Sequence, residues 1–140
     1  MKIKIEVLHK DLPLPKFSTK GSAGVDFYAP KDIIIPSHGS VIVPLGVKLE
    51  LPEGICMIMK EKSGIAVKHR LSIGACVIDS DYRGEVHAHF FSHNTQQVVL
   101  PKYTKIVQGI MTMYCTPQFV LGTVSNNTER GEGKFGSTGV

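Results

Sequence analysis

The sequence of 140 residues has no tryptophan, three cysteines and no long apolar run. An odd cysteine count without a CxxC pair argues against a disulfide framework or a zinc knuckle, and favours buried, reduced thiols. No apolar run is long enough to cross a bilayer. Residues 1–10 alternate instead of forming the apolar core of a signal peptide. We therefore expect a cytoplasmic protein, or a nuclear or host-cell one if the source is eukaryotic or viral, and not a secreted one.

A strong charge of one sign is also missing. Sixteen Lys and Arg against twelve Asp and Glu give a formal charge of +4, and the basic residues are scattered singly. This pattern argues against nucleic-acid binding by a basic stripe, while a basic cleft for a polyphosphate fits it equally well. The composition, 42% apolar and 20% charged, is typical of one globular domain that buries its own core.

The sequence pattern predicts mostly short β-strands. Ile3, Ile5 and Val7 share one face of an alternating segment, which predicts a half-buried strand. Later Val- and Ile-rich segments, punctuated by Pro and Gly, predict an all-β fold, a jelly-roll-like β-barrel or sandwich. Only residues 62–69 predict a short helix. The apolar pattern stops near Gly122, so we predict a core over residues 1–121 and a flexible glycine-rich arm over 122–140.

Two early segments suggest anion or cation binding. Local sequence places Asp26 in a turn just before a strand, and the alternative is a carboxylate at a pocket mouth near a hard cation. Lys62, Ser63 and Gly64 stand at the start of the helical segment. Unpaired backbone N–H groups, a hydroxyl and an ammonium there predict a phosphate seat. A plain serine cap beside a solvated lysine is an equally good interpretation.

Residues 74–86 form the most informative internal segment. Asp79 directly follows an apolar strand, which predicts a partly buried carboxylate that could orient or deprotonate a water. Tyr82 offers a flat ring to a sugar or a base. An acidic turn that closes a hairpin is the common alternative.

Polar residues inside two other strands carry weaker signals. A strand glutamine such as Gln108 usually faces solvent, and that interpretation leads. His87 and His89 share one strand face, but two histidines without a third ligand are only a weak indication of zinc. Packing or surface roles are favoured for both.

The tail carries a matched set of donors. Arg130 has a planar fork for phosphate oxygens, and the surrounding glycines expose backbone N–H groups that can form an anion-binding nest. Ser137 and Thr138 add hydroxyls, and Phe135 can stack on a base. Together these features predict a flap over a ligand with an aromatic ring at one end and phosphates at the other. A disordered polar tail is the alternative.

The order of five segments resembles the homotrimeric dUTP pyrophosphatases (dUTPases) over nearly the whole chain. The third and fifth segments are highly specific, and the fourth is weak by itself. The five are AGVDFYA at 23–29, KSGIAVK at 62–68, VIDSDYRG at 77–84, KIVQ at 105–108 and RGEGKFGSTG at 130–139.

The resemblance implies hydrolysis of dUTP to dUMP and pyrophosphate, which limits uracil in DNA and supplies dUMP for thymidylate synthesis. Asp79 would activate the attacking water, and Asp26 would hold waters of a Mg²⁺ bound to the triphosphate. In this family three chains share each site, and the tail of one closes a site formed by two others. The substrate-binding residues would be Lys62, Ser63, Gly64 and Gln108 at the phosphates, Ile73 and Val77 at uracil, Tyr82 at the deoxyribose, and Arg130, Phe135, Gly136, Ser137 and Thr138 in the tail.

Several positions depart from the family pattern. Lys62 and Lys105 stand where arginine is usual, and lysine keeps the charge but loses the bidentate fork. The others are Glu61 for proline, Cys76, Tyr103 and Lys134 for glycine, and Val107 for alanine.

Three alternative functions stay open at this point. They are a dCTP deaminase that shares the fold, a nucleotide sensor without catalysis, and a capsid-like or lectin-like jelly roll.

Overall fold

The computed structural model describes residues 1–135, 137 and 139. Gly136 and Thr138 of the predicted site therefore lie outside the described residues. Along the described chain there are one helix and eleven strands. The elements are β1 (Lys4–Val7), β2 (Lys16–Phe17), β3 (Gly24–Tyr28), β4 (Ile33–Ile35), β5 (Ser40–Glu50), β6 (Ile55–Glu61), α1 (Ser63–His69), β7 (Leu71–Gly74), β8 (Val77–Ile78), β9 (Glu85–Ser92), β10 (Val98–Leu100) and β11 (Lys105–Met113).

The strands form three antiparallel sheets. One has the order β1-β5-β9-β7, the second β2-β3-β11-β6-β8, and β10 pairs with β4 in a small third sheet. Alternation along each strand turns one set of apolar side chains inward. The core includes Phe27, Phe90, Leu45, Met57 and Ile106, which are all buried. None of these sheets closes on itself within the described residues, so the all-β prediction is confirmed and the sandwich form applies.

The predicted helix at 62–69 is also confirmed, as Ser63–His69. It buries only Ile65 and ends at Arg70 in a left-handed conformation with φ of 48°. The helix that the described residues contain is far too short to span a membrane.

Asp26 lies inside β3, so its predicted position in a turn before a strand is wrong. The reason is that β3 is an interior strand with β2 on one side and β11 on the other. Every residue of β3 is buried, including the charged one. The local sequence, with glycine and serine just upstream, gave no sign of this double pairing.

The chain leaves the sandwich well before residue 121. The last strand ends at Met113, and residues 114–135 form no helix or strand. Several large apolar side chains in this stretch are exposed, namely Phe119, Val120, Leu121 and Val124. The first three gave the sequence an apolar composition up to residue 121 without packing on the body of their own chain.

Candidate functional site

A buried carboxylate with two lysine partners occupies the five-stranded sheet. The side chain of Asp26 is 2% exposed and lies on the strand face opposite to that of the core residue Phe27. The Lys62 Nζ is 2.5 Å from Oδ1, and the Lys105 Nζ is 3.0 Å from Oδ2. The Ser18 hydroxyl also donates to Oδ2, at 2.6 Å.

These contacts determine the charge of the cluster. Burial raises the pKa of Asp26, but hydrogen bonds from Lys62, Ser18 and Lys105 outweigh it and lower the pKa to about 2. The hydrogen bond to Asp26 raises the pKa of Lys105. One carboxylate and two ammonium groups leave an excess of one positive charge, which favours an anion nearby.

Gln108 lies beside this cluster. It pairs with Asp26 on β3 and with Lys60 on β6, so the three side chains share one sheet face. Its Nε2 donates to the Glu61 carbonyl at 3.2 Å, and the residue is half-buried instead of facing solvent freely. A Cβ at Gly24 would lie 2.4 Å from the Gln108 Oε1. The absence of a side chain at Gly24 therefore leaves the space that Gln108 occupies.

The helix start carries the next predicted residues. Lys62 is the N-cap, with an extended backbone and no side-chain cap hydrogen bond, and Ser63 and Gly64 are exposed on the first turn. The structure thus assigns the cap position to Lys62 and not to Ser63. The Lys62 ammonium binds Asp26, so the solvated-lysine interpretation is wrong.

Asp79 begins a tight turn at the edge of the five-stranded sheet. The Tyr82 N–H donates to the Asp79 carbonyl at 3.2 Å, and the Asp79 side chain is exposed. The prediction of a partly buried carboxylate is therefore wrong. Ile78 is buried and Val77 is exposed, and β8 is an edge strand. Alternation consequently points Asp79 outward.

A cavity of about 720 Å³ opens beside this turn. Tyr114, which the sequence did not single out, places its hydroxyl 2.5 Å from the Ser80 hydroxyl at this cavity. The lining residues include Asp79, Ser80, Asp81, Arg83, Glu53 and Tyr114.

The Tyr82 ring is held by backbone. Its hydroxyl donates to the Glu85 carbonyl at 2.8 Å, and a Cβ at Gly84 would lie 2.4 Å from that hydroxyl. Ile73 in β7 and Val77 in β8 lie on consecutive strands, but these strands belong to different sheets and do not form the predicted hairpin with each other. Tyr82 thus lies in the Asp79 turn, and Val77 lies on the strand that leads to it.

The sheet register separates the Asp79 turn from the lysine cluster within one chain. Asp79 directly follows Ile78, which pairs with Met57, whereas Gln108 pairs with Lys60. Asp79 therefore lies one position beyond Met57 and four positions along β6 from Lys60. It is also two strands away from Gln108, because β6 lies between β8 and β11. At about 3.3 Å per residue and about 4.8 Å per strand, the two residues are roughly 16 Å apart.

The hydrogen bonds of the tail donors lie within the tail itself. Arg130 Nε donates to the Gly133 carbonyl at 3.3 Å, and the Ser137 N–H donates to the Lys134 carbonyl at 2.9 Å. Phe135 is fully exposed, so its ring packs on nothing in its own chain.

The structure bears on two metal sites considered from the sequence, zinc at His87 and His89 and magnesium at Asp26. Across residues 1–135, 137 and 139, no three His, Cys, Asp or Glu side chains gather to hold an ion. His87 Nδ1 donates to the Glu85 carbonyl, and His89 packs on the Phe91 ring at 4.3 Å, so both fit the packing role. Asp26 has both oxygens bonded to other side chains. It does not offer the open carboxylate that a hydrated cation needs.

Comparisons with known proteins agree along the chain. The family model named dUTPase matches residues 10–139. A deoxyuridine 5'-triphosphate nucleotidohydrolase of Yarrowia lipolytica is 38% identical over 100% of this chain and 90% of its own length. A protein of the same name from Oryza sativa subsp. japonica is 34% identical over 99% of this chain and 81% of its own.

Solved structures share the fold. The dUTPase of Staphylococcus bacteriophage 80alpha with dUpNHpp superposes with a TM-score of 0.92 at 20% identity, and 99% of each chain is covered. A mutant dUTPase from phage phi11 of S. aureus, described with a structural Mg(II) ion, has a TM-score of 0.83 at 15% identity, covering 91% of this chain and 100% of its own.

Proposed function

Because the chain belongs to the dUTPase family, we propose that it is an enzyme that hydrolyses dUTP to dUMP and pyrophosphate. The observation that carries the proposal is the exposed Asp79 in the lining of a cavity, with Tyr82 in the same turn. A cationic cluster elsewhere on the same sheet supplies the complement for a triphosphate.

In the proposed reaction a water attacks the α-phosphorus. Asp79 accepts a proton from that water as the new P–O bond forms. The bond from the α-phosphorus to the bridging oxygen breaks, and pyrophosphate leaves with the electron pair. Phosphoryl-type transfer depends mostly on positioning and on charge stabilisation.

The phosphate chain is bound by residues near the helix start. We assign to this role Lys62, Ser63, Gly64 and Gln108, because they lie next to the excess positive charge. Gln108 is held by its bond to the Glu61 carbonyl and is thereby oriented before the substrate binds.

Base and sugar bind at the Asp79 turn. The segment from Ile73 to Val77 reads uracil through backbone groups, and a site built to pair with uracil leaves those groups unpaired against cytosine. Tyr82, fixed by its bond to the Glu85 carbonyl, lies against the deoxyribose and leaves no room for a ribose 2′-hydroxyl.

The tail closes the site. Arg130, Ser137 and Thr138 clasp the outer phosphates with Gly136 between them, and Phe135 covers the uracil ring. The full exposure of Phe135 supports this role, because the ring has no packing of its own to lose when it closes. Closure excludes bulk water and completes the catalytic group.

Mg²⁺ enters this proposal with the substrate. A hard divalent cation binds oxygen ligands and often binds phosphates with several of its waters retained. We therefore propose that Mg²⁺ arrives chelated by the triphosphate oxygens of dUTP.

The separation of Asp79 from the lysine cluster supports a site shared between chains. Asp79 and Gln108 both act at the α-phosphate in this proposal, yet they are roughly 16 Å apart in one chain. Asp79 of one subunit must then meet Gln108 of another. We propose a homotrimer, as the family resemblance implies, in which the third chain supplies the tail.

A substrate panel tests the reaction. The protein is incubated with Mg²⁺ and each of dUTP, dCTP, dTTP and UTP, and pyrophosphate and ammonia are measured. We expect pyrophosphate from dUTP alone. Ammonia from dCTP would show a deaminase, and no product from any nucleotide would indicate a binding protein without catalysis.

Subunit mixing tests the shared site. One variant carries Asp79→Asn and the other carries Lys62→Met with Gln108→Leu, and each alone is expected to be inactive. In random trimers formed at equal ratio, about a quarter of the sites combine an intact Asp79 with an intact neighbouring cluster, because each condition holds for half of the chains. Recovery of dUTP hydrolysis to about a quarter of the wild-type rate supports the proposal. No recovery of activity in confirmed mixed trimers contradicts it.

We also propose a reducing compartment, cytoplasmic or nuclear. The three cysteines are free thiols, with Cys56 buried, Cys76 half-buried and Cys115 exposed. Such thiols are typical of proteins that are not secreted.

A further inference from the structure

We propose that Asp26 is a positioning residue that gathers the ammonium groups of Lys62 and Lys105 into one paired cationic site for the phosphate chain, and that it does not hold the cation. This inference rests on the proposed function and names how that site recognises phosphate. The family resemblance instead implies that Asp26 binds the magnesium ion through water molecules.

The carboxylate of Asp26 is already occupied. An ionised carboxylate offers about four lone-pair positions, and three are used, by Lys62 on Oδ1 and by Lys105 and Ser18 on Oδ2. With 2% of the side chain exposed, the remaining position cannot meet the water shell of an ion. A direct or water-mediated cation contact would have to displace an ammonium group.

The two lysines need such an anchor. Lysine carries a point charge on a flexible stem, whereas arginine presents a rigid fork. Lys62 comes from the turn before α1 and Lys105 from the start of β11, so neither local element orients the other. Lys105 also donates to the Ser18 hydroxyl at 2.8 Å, and Ser18 in turn donates to Asp26. The contacts of Lys62 and Lys105 with Asp26, together with that of Lys105 with Ser18, order both lysine side chains.

The ammonium groups remain reachable from outside. The side chains of Lys62 and Lys105 are 27% and 34% exposed, although the carboxylate between them is buried. Each ammonium has three donors, so binding Asp26 leaves donors for a phosphate oxygen. Gln108, opposite Asp26 in the sheet register, adds an amide on the same face.

The first experiment measures binding of dUpNHpp, the imido analogue of dUTP, by calorimetry with Mg²⁺ and again in EDTA. A charge-assisted contact is worth about 1.5–3 kcal/mol. We therefore expect Asp26→Asn to bind about tenfold to a hundredfold more weakly than the wild type in both conditions. Wild-type affinity of Asp26→Asn in EDTA, with weakening only when Mg²⁺ is present, would overturn the proposal.

A second pair of variants leaves the carboxylate intact. Lys105→Met removes one ammonium, and Lys105→Arg is the matched control that keeps the charge. We expect Lys105→Met to weaken dUpNHpp binding in EDTA by about tenfold, and Lys105→Arg to retain most of the affinity. Equal affinity of Lys105→Met and the wild type would overturn the paired site, whether or not Asp26→Asn folds.

Steady-state kinetics separate positioning from chemistry. We expect Asp26→Asn and Lys105→Met to raise KM for dUTP far more than they lower kcat, and the Mg²⁺ concentration for half-maximal rate to stay unchanged. A shifted Mg²⁺ requirement in Asp26→Asn would contradict the proposal. Failure of the proposed function is separately visible, because the wild type would then release no pyrophosphate from dUTP, whatever its affinity for dUpNHpp.

Discussion

Replacement of Asp26 by asparagine should destabilise the folded protein in a way that depends on pH. The folded state holds the pKa of Asp26 at about 2, against a usual value of 3.8. The difference between these two pKa values corresponds to about 2 kcal/mol of stability. Because the folded pKa is the lower one, this stabilisation is fully present above pH 3.8 and is lost as the pH falls through 2.

The same linkage gives the size of the effect at each pH. The charge contribution to the difference in unfolding free energy should be about 2 kcal/mol at pH 6 and about 1 kcal/mol at pH 3. Asparagine has nearly the same shape, so losses of packing are common to both measurements. The penalty of Asp26→Asn should therefore shrink by about 1 kcal/mol between pH 6 and pH 3.

Urea unfolding followed by far-ultraviolet circular dichroism suits this chain, which has no tryptophan. Protein concentration is kept constant, because in the proposed trimer apparent stability would depend on it. Asp11→Asn, at an exposed aspartate, is the matched control and should show a small penalty at both pH values. An equal penalty for Asp26→Asn at pH 6 and pH 3 would refute the charge argument.

Other variants test the proposed catalytic roles. Asp79→Asn should keep dUpNHpp binding and lose about 10²–10⁴-fold in turnover, whereas near-normal pyrophosphate release would remove Asp79 as the base. Deletion of residues 129–140 should cut turnover sharply and leave the mass from sedimentation that of a trimer; an unchanged rate would leave the tail without a part in closure. Gly84→Ala places a Cβ 2.4 Å from the Tyr82 hydroxyl. It should displace the ring and lower the ratio of kcat/KM for dUTP over UTP by about tenfold, and an unchanged ratio would separate Tyr82 from ribose exclusion.

Local patterns predicted the elements of this fold well. The alternating residues near the N-terminus form β1, as predicted. The predicted helical segment forms α1, which ends at His69 as expected. These features depend on neighbouring residues alone, because side-chain alternation and helix starts are local properties. Residue types in the five segments also indicated the family before any contact was known.

Features that depend on sheet order could not be predicted. Asp26 is buried because β3 has neighbours on both sides, and Asp79 is exposed because β8 lies at an edge. The contact between Lys105 and Asp26 joins residues from opposite parts of the sequence. Register and strand order decide these points, and no short window of sequence contains them.

Strand β6 joins the two halves of the proposed chemistry, with Asp79 beside one end and Lys62 after the other. In the proposed trimer, a fault in this strand would therefore damage two different sites at once, one on each side of the faulty subunit. In a cell that makes both intact and faulty chains, the loss of activity would exceed the proportion of faulty chains.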